Sequence, residues 1–195
     1  MSISNDATPA SNEETVKKAT GYKYSILRKL NEQRLSHSHM CDMTISGDDS
    51  ESVFHVHKCL IISASDYFLA MFNSGMQECK KDSIQLKGIS SQGLKEVIDF
   101  IYSGELKLSL YNIQDILRAV SHLQVKHALK LCEEYLIEET TCENCIDMLN
   151  LAELFSIYNL KTEVNRYVLR NFEKLIKNDQ FKRLSLEQMQ QCLKR

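Results

Sequence analysis

The sequence is poor in residues that interrupt regular structure. Its only proline is Pro9, and all six glycines lie before residue 105. Residues 105–195 therefore contain neither helix breaker, and we expect this part of the chain to be almost entirely helical. No uninterrupted apolar run approaches the roughly 20 residues that a membrane-spanning helix needs. The sequence predicts a soluble protein with no membrane partner.

An excess of positive charge is also absent. Lys and Arg number 24 against 26 Asp and Glu, which gives a net charge of −2. Such a chain has no basic field to hold a phosphate backbone, so we do not expect a nucleic-acid partner. It also lacks a glycine-rich phosphate loop, a Gly-x-Ser-x-Gly elbow and a His-Glu-x-x-His motif. These absences argue against an enzyme and against a bound cofactor.

The N-terminus lacks the order of charged, apolar and small residues that marks a secretory signal. Cysteine is plentiful, but its count is odd and its positions are scattered, which favours buried free thiols over a disulfide framework. We therefore expect a cytoplasmic protein, with the nucleus as a second location. The seven cysteines are Cys41, Cys59, Cys79, Cys132, Cys142, Cys145 and Cys192.

The N-terminal half shows a mixed pattern of helices and strands. Residues 1–19 are polar, and we expect them to form a flexible tail. An amphipathic helix is predicted for Tyr22–Leu35, then a hairpin in which Met43 and Ile45 face Val53–His57. Two short helices follow, Cys59–Ala64 and Tyr67–Phe72, joined where Ser65 can cap the second. Residues 83–89 are a third strand candidate.

From residue 94 onward the apolar residues recur at offsets of 0, 3, 4 and 7. This spacing predicts three packed helices, with a short strand or loop at Leu106–Leu110 between the first two. Two further stripes predict a helical hairpin whose second helix extends to Phe172. The sequence thus predicts an α+β unit followed by an all-α extension that begins near residue 140. The stripes consist of Leu94, Val97, Ile98, Ile101; Ile113, Ile116, Leu117, Val120; Val125, Ala128, Leu129, Cys132; Cys145, Met148, Leu149, Ala152; and Leu160, Val164, Tyr167, Val168, Phe172.

Two clusters contain the residue types of metal sites. Cys142 and Cys145 could form half of a zinc site or a redox pair, but no second closely spaced Cys/His pair follows, so core packing is the favoured interpretation. The second cluster consists of histidines and one cysteine, and these side chains could converge if the first helix packs on the hairpin. Histidines that are held by hydrogen bonds are, however, commoner in proteins than histidines that bind a metal. A nucleophilic dyad of Cys59 and His57 is disfavoured because Cys59 opens an apolar run. We therefore expect no metal. The second cluster comprises His37, His39, Cys41, His55 and His57.

Several motifs together resemble a known family. Residues 41–45 read CDMTI and residues 54–72 read FHVHKCLIISASDYFLAMF, which resembles the signature stretch of BTB/POZ domains. The likeness continues through residues 84–89, 97–106, 112–117 and 123–124. Beyond them, residues 142–172 resemble the start of the BACK domain of kelch-like proteins. The resemblance implies a BTB/POZ fold at residues 20–139 and a 3-box with the start of a BACK domain at residues 140–195.

This resemblance implies specific partners. Kelch-like BTB domains form homodimers and bind cullin-3 as adaptors of a ubiquitin ligase, without being the catalyst. The cullin contact of that family uses a hydrophobic-x-Glu motif, which Met76, Gln77 and Glu78 match here, and the 3-box adds to it. A flexible apolar Met suits a groove on the partner. The dimer interface would use Tyr24, Ile26, Leu27 and Leu30, and the base of the dimer groove would contain Asp42, His57 and Lys58.

The sequence also departs from the kelch-like pattern. It ends within BACK, and we expect no substrate-capturing propeller in these 195 residues. An adaptor of this kind could pair with a related BTB protein and occupy cullin-3 without delivering substrate. The alternative is a transcription regulator or scaffold whose BTB groove recruits co-repressor peptides. The helical hairpin and the lack of zinc fingers favour the adaptor.

Overall fold

The computed structural model describes residues 21–49, 52–74 and 82–177, together with Leu186 and Gln190. The tail predicted for residues 1–19 lies outside this part of the chain. The described elements include both helices and strands up to residue 85, and those after it are helices. In chain order they are α1 (Tyr22–Leu35), β1 (Met43–Ser46), β2 (Val53–Val56), α2 (Lys58–Ala64), α3 (Asp66–Asn73), β3 (Ser83–Gln85), α4 (Ser91–Ser103), α5 (Ile113–Leu123), α6 (Lys126–Glu138), α7 (Cys145–Leu154), α8 (Tyr158–Arg170) and α9 (Phe172–Ile176).

The three described strands form one small sheet in the order β2-β1-β3. β1 and β2 are antiparallel, with Met43 opposite Val56, which confirms the predicted hairpin. β3 pairs with β1 in parallel and is shorter than the predicted strand. It is followed by a turn in which Gly88, at φ 79°, donates its N–H to Oδ1 of Asp48 at 2.7 Å.

The core lies between the sheet and the central helices α4 and α5. Their predicted apolar stripes are buried, as the side chains of Leu94, Val97, Ile116 and Leu117 show. The two helices approach closely at Gly93, where a Cβ atom would lie 2.8 Å from the carbonyl carbon of Asp115. α4 thus requires a residue without a side chain at this crossing.

The helical extension packs mainly through the hairpin of α7 and α8. Its predicted stripes are buried, including Leu149, Leu160, Val164 and Val168. The second helix ends at Arg170 rather than continuing to Phe172, because Asn171 interrupts it and donates its Nδ2 to the carbonyl of Tyr167 at 3.0 Å. Residues 106–110, predicted as a strand or loop, form a loop in the structure.

None of the helices in the described ranges has both the length and the apolar character to cross a membrane.

Helix α1 has the predicted bounds, but none of its apolar side chains is fully buried. Its single buried residue is Arg34, while Tyr24 and Ile26 are exposed and Leu27 and Leu30 are half-buried. Leu30 packs against the core from its edge. The apolar stripe of α1 is therefore only partly covered by its own chain.

Candidate functional site

Asp42 and Lys58 lie at the start of α2. Oδ1 of Asp42 accepts the backbone N–H of Lys58 at 2.7 Å, which satisfies one of the free donors at the helix N-terminus. The ammonium of Lys58 lies 4.1 Å from the ring centre of Phe72, a cation–π distance. Of the residues predicted at the base of the dimer groove, Asp42 thus supports the backbone and Lys58 packs on α3.

His57 lies at the centre of a buried polar network. Its backbone N–H donates to the Tyr102 hydroxyl at 2.8 Å, and its Nδ1 lies 2.9 Å from the same oxygen. Its Nε2 lies 3.1 Å from Oε1 of Gln33 on α1. The donors and acceptors in these contacts are all paired when the His57 proton is on Nε2: the Tyr102 hydroxyl then donates to Nδ1, and Nε2–H donates to Oε1 of Gln33. Burial raises the pKa of Tyr102 to about 12, so its hydroxyl stays protonated and available as a donor.

The dyad considered for His57 and Cys59 is not supported by this arrangement. Both ring nitrogens of His57 face other partners, and Nε2 lies 4.0 Å from the sulfur of Cys41. Cys59 is exposed, so the expectation that the cysteines are buried was wrong at this position. The start of α2 places Cys59 on the solvent side while Ile61 enters the core.

A second polar group, which the sequence analysis missed, joins α1 to α4. Arg34 donates from Nη2 to Oδ1 of Asp99 at 2.6 Å, and Lys95 donates to Oδ2 at 2.7 Å. Burial raises the pKa of Asp99, but the hydrogen bonds from Lys95 and Arg34 outweigh it and hold the pKa below its ordinary value. The i, i+4 spacing of Lys95 and Asp99 was visible in the sequence, whereas the partner on α1 was not.

Large apolar side chains are exposed on α1 and in the residues that follow it. Tyr24 is 72% exposed and Ile26 is 42% exposed, and three further large side chains nearby in the chain are also exposed. The three further residues are Leu35, Met40 and Val53.

The predicted cullin-binding residues Met76, Gln77 and Glu78 lie outside the described residues. The elements on either side of them, α3 and β3, line a cleft of about 360 Å³. Tyr67 and Met71 form one wall, Leu86 lies opposite, and the ring of His122 lies 5.0 Å from that of Tyr67. The cleft is thus lined by aromatic, methionine and aliphatic groups, which suit an apolar partner side chain, together with the polar Gln85 and Lys87.

The candidate metal clusters come together only in pairs. The rings of His37 and His55 are 4.6 Å apart, and Cys41 lies near His57. Among the described residues no three His, Cys, Asp or Glu side chains are placed to hold one metal ion. In the other cluster, Cys145 is buried, and the sulfur of Cys142 lies 3.5 Å from the Tyr167 hydroxyl.

Family models match most of the chain. A BTB/POZ domain model matches residues 30–140, and a model described as BTB And C-terminal Kelch (BACK) matches residues 145–195. Together the two models leave only the N-terminal residues and a short joint unmatched.

The chain is similar to curated kelch-like proteins. It is 38% identical over 150 residues to Kelch-like protein 9 of Mus musculus. The matched region covers 77% of this chain and 24% of that protein. It is 39% identical over 150 residues to Kelch-like protein 13 of Homo sapiens, with 77% and 23% covered. The chain thus spans about a quarter of the length of these relatives.

Solved structures show the same fold. The BTB domain of zebrafish PATZ1 has a TM-score of 0.57 at 21% identity, covering 65% of this chain and 100% of that one. The BTB domain of human Gigaxonin has a TM-score of 0.54 at 26% identity, covering 63% and 98%. These likenesses confirm the α+β architecture predicted for the first part of the chain.

Proposed function

Because the chain belongs to the BTB/POZ family of protein-interaction domains and continues into a BACK domain, we propose that it is a homodimeric adaptor that binds cullin-3. In this role it recruits a ubiquitin ligase and carries out no catalysis itself. The cleft between α3, β3 and α5 is the observation that supports the cullin contact, because Met76, Gln77 and Glu78 lie between α3 and β3 in the sequence. Residues 142–160, at the start of the BACK region, would add to the cullin contact.

The dimer would form through α1. Tyr24 and Ile26 are exposed apolar side chains on this helix, and Leu27 is half-buried beside them. Covering such groups on a second copy removes apolar area from water on both protomers at once. The buried network of His57, Tyr102 and Gln33 supports α1 from below and keeps its outer side in place for the partner.

Binding to the N-terminal domain of cullin-3, followed by light scattering, tests the cullin contact. We expect two adaptor chains to bind two cullin domains, and we expect Met76→Asp and Glu78→Ala to weaken binding at least tenfold while the protein remains dimeric. Leu169→Asp is the matched control, because it places the same charge on an exposed apolar position of α8. A dimer without affinity for cullin-3 contradicts the adaptor role and favours a platform for co-repressor peptides.

The dimer is tested separately with Ile26→Asp. This change places a charge in the proposed interface at a side chain that is exposed in the single chain, so folding should be preserved. Light scattering should then report a monomer, while Leu169→Asp should stay dimeric. A monomeric wild-type chain, or a dimeric Ile26→Asp variant, contradicts the interface.

We also propose that the protein works in the cytoplasm or nucleus. The five cysteines that the structure describes are free thiols, as a reducing compartment maintains them. Imaging of a fluorescent fusion checks this, and export from the cell would contradict it.

A further inference from the structure

A pair of cysteines lies in the turn that joins α6 to α7. Cys142 and Cys145 are three positions apart, and the backbone N–H of Cys145 donates to the carbonyl of Thr141 at 2.9 Å, so the turn is helical. Asn144 fixes it further by accepting the N–H of Thr141 at 2.7 Å and donating to the carbonyl of Glu139 at 2.8 Å. Positions i and i+3 of a helical turn have Cα atoms about 5 Å apart. That separation lies within the range of roughly 4.4–6.8 Å that disulfides span.

The two sulfurs have different surroundings. Cys145 is buried, and its Sγ lies 3.8 Å from the carbonyl oxygen of Cys142, so its side chain extends back toward the first cysteine. Cys142 is half-buried, and its Sγ contacts the Tyr167 hydroxyl at 3.5 Å. Burial and the neighbouring Cys142 raise the pKa of Cys145, which keeps that thiol protonated and protected from direct attack. An oxidant in solution therefore meets Cys142 first.

We propose that Cys142 and Cys145 form a reversible intrachain disulfide when the protein meets a peroxide. Hydrogen peroxide oxidises the Cys142 thiol to a sulfenic acid and releases one water. The Cys145 sulfur then attacks the Cys142 sulfur, the S–O bond breaks, and the hydroxyl leaves as a second water with the Cys145 proton. The two thiols together lose two electrons and two protons, and the peroxide is reduced to two waters.

The position of the pair gives this chemistry a structural consequence. The turn lies between the segment matched by the BTB/POZ model and the segment matched by the BACK model. The disulfide removes the S–H group of Cys142 and draws its sulfur toward Cys145, away from Tyr167 on α8. Oxidation is therefore expected to alter a contact between this joint and α8. The inference does not depend on cullin binding.

Digestion with a protease that cleaves after glutamate tests the disulfide directly. Glu143 lies between the two cysteines, so cleavage after Glu139, Glu143 and Glu153 places them on separate peptides, 140–143 and 144–153. The reduced protein is treated with hydrogen peroxide, alkylated with iodoacetamide under denaturing conditions, and digested. We expect the two peptides to remain linked, with a mass about 2 Da below the sum of their thiol forms. Treatment with dithiothreitol should separate them.

Two variants complete the experiment. Cys142→Ser should abolish the linked pair, whereas Cys132→Ser should retain it, because Cys132 is fully buried in α6 and burial raises its pKa to about 12. Both peptides recovered as alkylated thiols after peroxide would overturn the proposal. So would an oxygen adduct on peptide 140–143 with peptide 144–153 alkylated, because Cys145 would then have failed to resolve the sulfenic acid.

Discussion

The Nη2 atom of Arg34 lies 2.6 Å from Oδ1 of Asp99, although the two residues are 65 positions apart in the chain. Arg34 is only 5% exposed, and its guanidinium also donates to Oδ1 of Asn31 and lies 4.9 Å from the ring centre of Tyr102. The one buried residue of α1 is therefore a cation whose Nε and Nη2 atoms donate to neighbouring groups. The helix proposed to form the dimer interface is held to α4 by polar contacts in addition to apolar packing.

Replacing Asp99 should therefore destabilise the chain. Asp99→Asn removes the charge that balances the buried Arg34, and we expect the free energy of unfolding to fall by about 1–3 kcal/mol. Urea denaturation measures this. Lys95→Ala is the control, because it removes the other ion-pair partner of Asp99. The side chain of Lys95 is 50% exposed, so this variant should lower the free energy of unfolding by less than about 1 kcal/mol. Equal losses in the two variants would show that burial of Arg34 is not the cause.

The same carboxylate should make stability depend on pH in the acid range. The pKa of Asp99 in the folded chain lies below its ordinary value of 3.8, so the unfolded chain takes up the proton first as the pH falls. The stabilisation that the Asp99 carboxylate provides is complete above pH 3.8, the ordinary pKa of the unfolded chain. It is lost as the pH falls through the lower pKa of the folded chain. The difference in unfolding free energy between wild type and Asp99→Asn should thus be constant near pH 6 and narrow below pH 3.8. A difference that widens in acid would contradict the sign of the shift.

Local patterns predicted most of the helices because each signal was contained in a few residues. Ser65 is an example: its hydroxyl oxygen accepts the N–H of Phe68, as expected for a cap of the second short helix. It also donates to the carbonyl of Leu123 at 2.5 Å, a contact that no local pattern contains. In α1 the bounds were predicted correctly, but the buried residue was missed, because the burial of Arg34 depends on Asp99 and Tyr102 in a distant helix.

In the candidate site, too, some features could be predicted from the sequence and others depend on contacts between distant residues. The resemblance indicated Asp42 and His57, but the hydrogen bonds of His57 to Tyr102 required the packed structure. The length of β3 could not be predicted either, since it is set by pairing with β1, which is distant in the chain. The roles of Met76, Gln77 and Glu78 remain predictions.

The Tyr102 hydroxyl should contribute strongly to stability. Tyr102→Phe leaves the buried N–H and Nδ1 of His57 without their partner, and we expect a loss of about 1–3 kcal/mol in unfolding free energy. Tyr111→Phe makes the same chemical change at a tyrosine that is 100% exposed, and its effect should stay within about 0.5 kcal/mol. Thermal and urea unfolding of the pair measure the difference. Similar effects in both variants would mean that the His57 contacts add nothing to stability.

Gly93 offers a prediction in which local and tertiary effects have opposite signs. It lies inside α4, where helix propensity alone would make Gly93→Ala stabilising by about 1 kcal/mol. The added Cβ, however, would lie 2.8 Å from the carbonyl carbon of Asp115, with the carbonyl oxygen closer still. The obstacle is the backbone of α5 and cannot rotate aside, so α4 and α5 must separate, and packing contacts of both helices are lost. We expect a net loss of about 1–3 kcal/mol in urea denaturation. Lys95→Ala, an exposed substitution in the same helix, serves again as the control. Increased stability of Gly93→Ala would show that the two helices can move apart at no cost.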